Sequence, residues 1–449
     1  MENNMDLKPL KIFLGGASPF SDNRGVAAIF MGTLNMLSMT FSDRNMSITV
    51  WNTYPFSGRR YVKELATTEF QVPTNIEVNM IGGGDSGSNE MFRFLHAFSR
   101  LFCLLMVLVF LRFLSKIRIN LLSRIDVVSE MFSADFVVEL NFGDVFTDVH
   151  YGRKLWVFNT LRLFAIVISG KPIYLFPQSI GPFKSLISKA LARIILKRVR
   201  IVAVREKYSL VNVKSLGIAS KVSLVPDAGF RSSSVNADRA LDILKAEGLN
   251  SEQNTKLIGL CVSPYYFSLP FMKQSALALN RFVEIIGDII HEFDATVVFI
   301  PHDMSNDGTS FDCRQLSFLM RSMLKNKDRA IVLAKDYTVE EFWGVIGLCN
   351  ITISMMTHPV IASLRAGVPV TAVTYSHKTG GIMSMFGLEG YVFTLEAFVH
   401  MNVGIGTVRK LLQHRVRISQ NLKKNMHTIN VMLEDFQRQF LCDVVTVVG

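Results

Sequence analysis

Residues Lys171 to Glu206 read KPIYLFPQSIGPFKSLISKALARIILKRVRIVAVRE, and this stretch decides the fold class. A short β-branched and aromatic run, PIYLF (172–176), gives way to a Pro/Gly turn, then to a helical pattern, then to a second short run, IVAV (201–204). Parallel neighbours cannot be joined by a tight hairpin, so a strand, a crossover helix and a strand in this order mark a parallel sheet.

The alternation extends over the whole chain. Further runs in the first half are LKIFL (10–14), SITVW (47–51), IEVNM (76–80), FVVEL (136–140) and VSLV (222–225). A second set comprises LIGLCV (257–262), TVVFI (296–300), AIVLA (330–334), ITIS (351–354) and VPVTAVTY (368–375). Between the sets, Arg231 to Lys256 is Ser/Asn-rich and reads as a connection holding one helix. The expected class is therefore α/β, with Rossmann-like domains at 1–235 and 255–415. A helical tail is expected at 416–449, and its basic stretch RKLLQHRVRISQNLKK (409–424) reads as a solvated face. A chain of 449 residues is long for one core, which supports two domains.

Composition narrows the partners. Net charge is +11, the hydrophobic share is 49% and mean hydropathy is +0.30, which favours an anionic partner: nucleic acid, a phosphorylated substrate or an anionic membrane face. The five cysteines show no CxxC pair and no metal-ligand spacing, as expected of reduced thiols in a cytosol. The N-terminus MENNMDLKPLKIFLGG lacks the pattern of a signal peptide, so a cytoplasmic location is expected. LFCLLMVLVFL (101–111) is apolar throughout and flanked by Arg100 and Arg112, yet a spanning helix needs about 20 residues. It reads as a buried helix, or as one dipping into an anionic leaflet and holding the protein peripherally on the inner membrane face.

In open α/β sheets ligands bind beyond the carboxyl ends of the strands. Polar residues stand at eight such ends: Asp144; Gln178 and Ser179; Arg205; Asp227; Ser263; His302 and Asp303; His358; and Ser376, His377 and Lys378. Together they describe the rim of a cleft. Pro182 is expected to open the helix after SIG, leaving N–H groups near Gly181 for an anion. Likewise Pro359 is expected to open a helix closed by Gly367, with His358 at its N-cap beside the positive end of the dipole. Gly380 and Gly381 would let the backbone approach a ligand. Each residue also has a plainer reading: His358 a cap, Arg205 a partner of Glu206, Asp227 an Asx turn, Met355 and Met356 core or pocket wall.

The series NRGVAAI (23–29), FGDVFTDVHYG (142–152), PQSIGPF (177–183), VRE, VPDAGF, PHD, the histidine of MMTH, AGVPV and YSHKTGG resembles the polysaccharide pyruvyl transferase family. That resemblance implies a GT-B-like fold, two Rossmann-like domains with mainly parallel sheets facing a central cleft. It implies phosphoenolpyruvate as donor substrate, a sugar or lipid-linked glycan as acceptor, and a pyruvate ketal as product, with no metal and no further cofactor. In these terms His358 is the acid or base, Asp144 orients or deprotonates the sugar hydroxyl, and His377 assists at the phosphate. Arg205, Lys378 and the two helix N-termini suit the donor's carboxylate and phosphate. Ser376, Gln178, Ser179, Gly181, Asp227, Ser263, His302, Asp303 and Gly381 complete the expected binding set. Two positions depart from the family pattern: Met356 stands where an arginine usually precedes the histidine by two residues, and Val26 where an acidic residue is usual. A GT-B glycosyltransferase using a nucleotide sugar and a non-catalytic relative that binds glycan or a partner remain as alternatives. No nucleic acid is expected as a partner, and a homo-oligomer is compatible with the sequence.

Overall fold

Every run predicted as a strand forms one, in two sheets whose strands all pair in parallel. The computed structural model describes residues 8–19, 21–51, 73–81, 98–99, 101–102, 106, 126–249, 255–267, 275–304, 312–374, 377–400 and 403–448. The first sheet comprises β1 (Leu10–Gly15), β2 (Met46–Trp51), β3 (Ile76–Ile81), β4 (Phe136–Glu139), β5 (Ile173–Gln178), β6 (Ile201–Val204) and β7 (Val222–Leu224), in the order β3-β2-β1-β4-β5-β6-β7. The second comprises β8 (Lys256–Cys261), β9 (Ala295–Phe299), β10 (Ala330–Val332), β11 (Ile351–Ser354), β12 (Val370–Val373) and β13 (Val392–Phe393), in the order β10-β9-β8-β11-β12-β13. All four residues of β4 and of β11 are buried, as in sheets covered on both faces. The two-residue β13 escapes sequence reading because it is too short to carry a pattern.

The chain divides into two units near the expected boundary, between Arg231 and Ser232. Two further segments depart from the expected domains. Residues 22–28 group with the second unit, and Met432–Gly449 group with the first. The tail is therefore no separate domain: one helix, Arg415–Val448, supplies its last turns to the first unit's core. There Phe440 packs edge-on against Phe136, Tyr174 and Phe176, with ring centroids 4.8–5.6 Å apart. Such aromatic pairs add about 0.5–1.5 kcal/mol each beyond their buried area. Asp443 accepts from the Tyr174 hydroxyl at 2.7 Å and from Arg200 at 2.7 and 3.0 Å, which fixes the helix on the sheet.

The polar connection after Arg231 also joins the second unit. Its helix, Ala237–Ala246, lies against the helix Val339–Leu348, and Val235 N–H donates to the Glu340 carbonyl at 3.0 Å. A side chain on Gly344 would overlap Val235, so the approach is close. Of the apolar run 101–111, all but Leu101, Phe102 and Met106 lies outside the described residues. Among the described residues no helix is long and apolar enough to cross a membrane.

Candidate functional site

Strand order reverses between β1 and β4 in the first sheet and between β8 and β11 in the second, and in each the buried polar residues gather at the carboxyl ends around that reversal.

In the first unit, β4 ends in Glu139 and the chain then turns through Asn141, Phe142 and Gly143, all at positive φ (44°, 52° and 84°). For Asn and Phe this backbone is unfavourable by about 1–2 kcal/mol per residue, so other contacts must impose it. Arg162, from the helix Gly152–Ser169, is one source: it donates to both Glu139 oxygens at 2.6 and 2.7 Å and to Asn141 Oδ1 at 3.0 Å. Its guanidinium also lies over the Phe142 ring at 5.4 Å. Asn141 in turn donates to Gln178 Oε1 at 2.5 Å, which ties the turn to the end of β5. Gln178 thereby belongs to a structural network.

One strand further on, Arg205 is buried and committed to neighbours. It donates to Asp227 Oδ2 at 2.6 Å and to Ser179 Oγ at 2.9 Å; the Ser179 hydroxyl in turn donates to Glu206 Oε2 at 3.0 Å. Burial works against the guanidinium charge, but Asp227, Asp144 and Glu206 keep its pKa above the ordinary value. Asp144 is half-buried and accepts from the Tyr151 hydroxyl at 2.7 Å.

The expected anion site near Gly181 does not form as predicted. The helix there is Leu186–Arg198, with Ser185 as N-cap, so Pro182 lies outside it. Gly181 N–H donates to the Phe146 carbonyl, and the Asp148 carboxylate already accepts from Lys184 N–H and Ser185 N–H. Burial opposes the Asp148 charge, yet those backbone donors hold its pKa below the usual carboxylate value.

In the second unit, residues 22–24 run antiparallel to 302–304, with Arg24 N–H on the His302 carbonyl at 2.8 Å and Met304 N–H on the Asp22 carbonyl at 3.0 Å. Asn23 folds back to accept from Gly25 N–H at 2.9 Å. This turn sets Gly25 so close to His358 that a Cβ there would overlap ring atom Nδ1. The helix carrying His358 is Thr357–Ala366, which starts two residues earlier than expected: Met356 is the N-cap and His358 the second helical residue. Ser354 makes this possible, because its hydroxyl accepts from Met356 N–H at 3.1 Å and donates to the Met356 carbonyl at 2.8 Å, shaping the turn without a histidine cap. Pro359 is tolerated in the first helical turn because its missing N–H would have no helical partner there. Gly367, left-handed at φ 71°, closes the helix as expected.

His302 is wholly buried, its Nδ1 facing the Ile300 carbonyl at 3.3 Å, while Nε2 has no hydrogen-bond partner among the described residues. Burial drives its pKa down to about 3, His358 and Arg24 adding to the effect. Asp303 is pushed up to about 7 by burial, reinforced by Asp22 and Asp312 and opposed by Arg24 and Asn23. Arg24 itself is buried and paired with Asp336. Met356 reaches the thiol of Cys313, sulfur to sulfur at 4.0 Å.

These two neighbours bias stability in opposite senses. Raised in the fold, the Asp303 pKa makes stability fall as pH rises from about 4 to about 7; lowered in the fold, the His302 pKa makes stability fall as pH drops from about 6.5 to about 3. Between about pH 4 and 6.5 the two slopes, each at most about 1.4 kcal/mol per pH unit, oppose each other. Asp303→Asn is expected to tilt the profile toward greater stability at the upper end of that window, relative to the parent. His302→Gln is expected to tilt it the other way. Denaturant titrations at several pH values check both, and parallel profiles in all three proteins would refute the assignment.

Thr357 and Thr379 share a hydroxyl contact at 2.8 Å, which joins the start of the His358 helix to the helix His377–Ser384. Lys378 and Gly381 lie on that second helix and are half-buried, and His377 is its first residue. Gly380 and Gly381 are therefore helical, not a loop, and a Cβ on Gly380 would meet nothing within 4 Å. Ser376 lies outside the described residues. Ser263 follows β8, where its carbonyl accepts from Tyr266 N–H.

The structure thus gathers Ser179, Arg205, Asp227 and Asp144 in the first unit, and His302, Asp303 and His358 in the second. Absent from the expected set are Arg24, Gly25, Glu139 and Arg162. Arg162 had a signal, a lone arginine amid the apolar LWVFNTLRLFAIVI; Gly25 had one too, in NRGVAAI. Among the described residues no group of His, Cys, Asp or Glu could hold a metal ion.

A sequence profile described as polysaccharide pyruvyl transferase matches residues 141–377. The amylovoran biosynthesis protein AmsJ of Erwinia amylovora is 24% identical over 297 residues, covering 65% of this chain and 68% of AmsJ. Among solved structures, a putative UDP-N-acetylglucosamine 2-epimerase from Listeria monocytogenes superposes with TM-score 0.56 at 10% identity, over 96% of this chain and 97% of that one. An α,α-trehalose 6-phosphate synthase from Burkholderia multivorans gives 0.54 at 11% identity, over 98% and 100%. These likenesses establish a GT-B-like fold.

Proposed function

The chain belongs to the polysaccharide pyruvyl transferase family, and from that premise we propose that it transfers the pyruvyl group of phosphoenolpyruvate to a sugar of a cell-surface glycan or its lipid-linked precursor. Two hydroxyl oxygens of one sugar bond to the donor's C2 and lose their protons, one proton ending on the vinyl carbon, which becomes methyl, and the other on the phosphate that leaves as its bond to C2 breaks. The supporting observation is His358: it stands in the first turn of a helix at the strand-order reversal, within the matched region, where a titratable ring and a positive helix end adjoin. In this reading His358 moves the proton, and the start of its helix with Lys378 meets the donor's anionic groups. Asp144 and His377 act on the acceptor hydroxyl and the phosphate. Arg205, already engaged by Asp227 and Ser179, orders the loops after β5 and β6.

Incubation with phosphoenolpyruvate and a panel of lipid-linked sugars is expected to release phosphate and to yield a ketal by mass and NMR. Phosphoenolpyruvate at about a hundred times its Kd should stabilise the fold by about 2.7 kcal/mol, read as a rise in Tm. A rise with nucleotide sugars and none with phosphoenolpyruvate would replace this reading with glycosyl transfer.

A further inference from the structure

The helix Leu186–Arg198 has two apolar faces, and the core uses only one. Ala192, Ile195 and Leu196 are buried, while Leu186 is 82% exposed, Ile187 70% and Ile194 50%. Helical spacing places Ile187, Leu191 and Ile194 in one outward stripe, with Lys189, Arg193 and Lys197 in a second line about a third of a turn away across the exposed face. The adjacent helix, Lys207–Ser215, continues the surface with exposed Tyr208, Val211 (66%), Lys207 and Lys214. The chain beside each helix approaches the other: a Cβ on Gly181, before the first, would lie 3.3 Å from Asn212 on the second, and one on Gly217, after the second, would lie 3.5 Å from Arg193 on the first.

Charge tells what covers this face. Between residues 182 and 225 eight exposed Lys or Arg residues stand besides Arg200, which is paired with Asp443, and the buried Arg205. The acids are the buried Glu206 and, from outside the segment, Asp148, whose carboxylate is held by backbone donors at the helix start. Exposed large apolar side chains set among an excess of cations match the boundary of an anionic bilayer, where acyl chains take the former and headgroups the latter.

We propose that this face is a membrane-docking surface, which seats the first unit on an anionic phospholipid leaflet. It does not depend on the donor chemistry proposed above. The full chain should float with vesicles of phosphatidylcholine and phosphatidylglycerol, should not float with phosphatidylcholine alone, and should dissociate as salt is raised. The triple change Lys189→Gln, Arg193→Gln and Lys197→Gln should lower partitioning about a hundredfold, at about fivefold per cation. The triple change Leu186→Ser, Ile187→Ser and Ile194→Ser should lower it at least about tenfold. Both variants alter exposed positions and should keep the parent Tm. Equal flotation with neutral vesicles, or parent-like partitioning of both variants, would overturn the proposal. So would a lipid-free dimer that the serine variant converts to monomer, since the face would then be an interface between copies.

Discussion

Replacing Glu139 with alanine is expected to destabilise the first unit by about 3–5 kcal/mol, a large share of a typical domain's stability. Glu139 and Arg162 are both wholly buried, and the paired guanidinium would be left in the interior without a carboxylate. The loss extends further, because Glu139 Oε1 also accepts from Asn141 N–H at 2.7 Å and so helps impose the positive-φ turn. Removing both charges together, as Glu139→Gln with Arg162→Met, should cost less than Glu139→Ala alone, since no charge is then buried unpaired. Denaturant midpoints of the single and double variants test this directly. A Glu139→Ala protein within about 1 kcal/mol of the parent would show that the pair does not hold the turn.

How legible these features are in the sequence depends on how local their causes are. Strands such as IVAV and ITIS match their predicted limits, because a strand buried on both faces is written in consecutive β-branched residues. Helix starts were harder. Ser185 is a local cap, but the Asp148 carboxylate that completes that start is 36 residues away, and Pro182 is the more conspicuous residue. Similarly, MMTHP offers a histidine before a proline, whereas the turn is shaped by Ser354, two residues upstream of Met356.

The site shows the same division. His358 and Asp303 follow strands, so the rule that ligands meet strand ends finds them. Their partners Asn23, Arg24 and Gly25 come from about 280 to 335 residues earlier, and only the three-dimensional pairing of 22–24 with 302–304 connects them. The position of Arg205 after β6 marks it in the sequence, but a position cannot say whether a cation faces a ligand or a buried aspartate. Asp227 settles its immediate surroundings at 2.6 Å.

His358→Ala is expected to lower ketal formation by about 10²- to 10⁴-fold while leaving the fold intact, the range for loss of a general acid or base. The ring is half-buried and lies in a first helical turn, so alanine, a good helix former, creates no strain there. Gly25→Ala provides the companion measurement. Its Cβ would overlap His358 Nδ1 and approach Asn23 Oδ1 at 2.9 Å, so the imidazole must move while keeping its chemistry. A displacement of about 1 Å at a reacting group can cost about 10²-fold, so Gly25→Ala should lose most of the activity with a functional histidine still present. If His358 acts only in packing, both variants should lose Tm and keep turnover per folded molecule. If it moves the proton, turnover per folded molecule falls in both, Tm is unchanged in His358→Ala, and the double variant is no worse in turnover than His358→Ala alone, because a ring already absent cannot be misplaced.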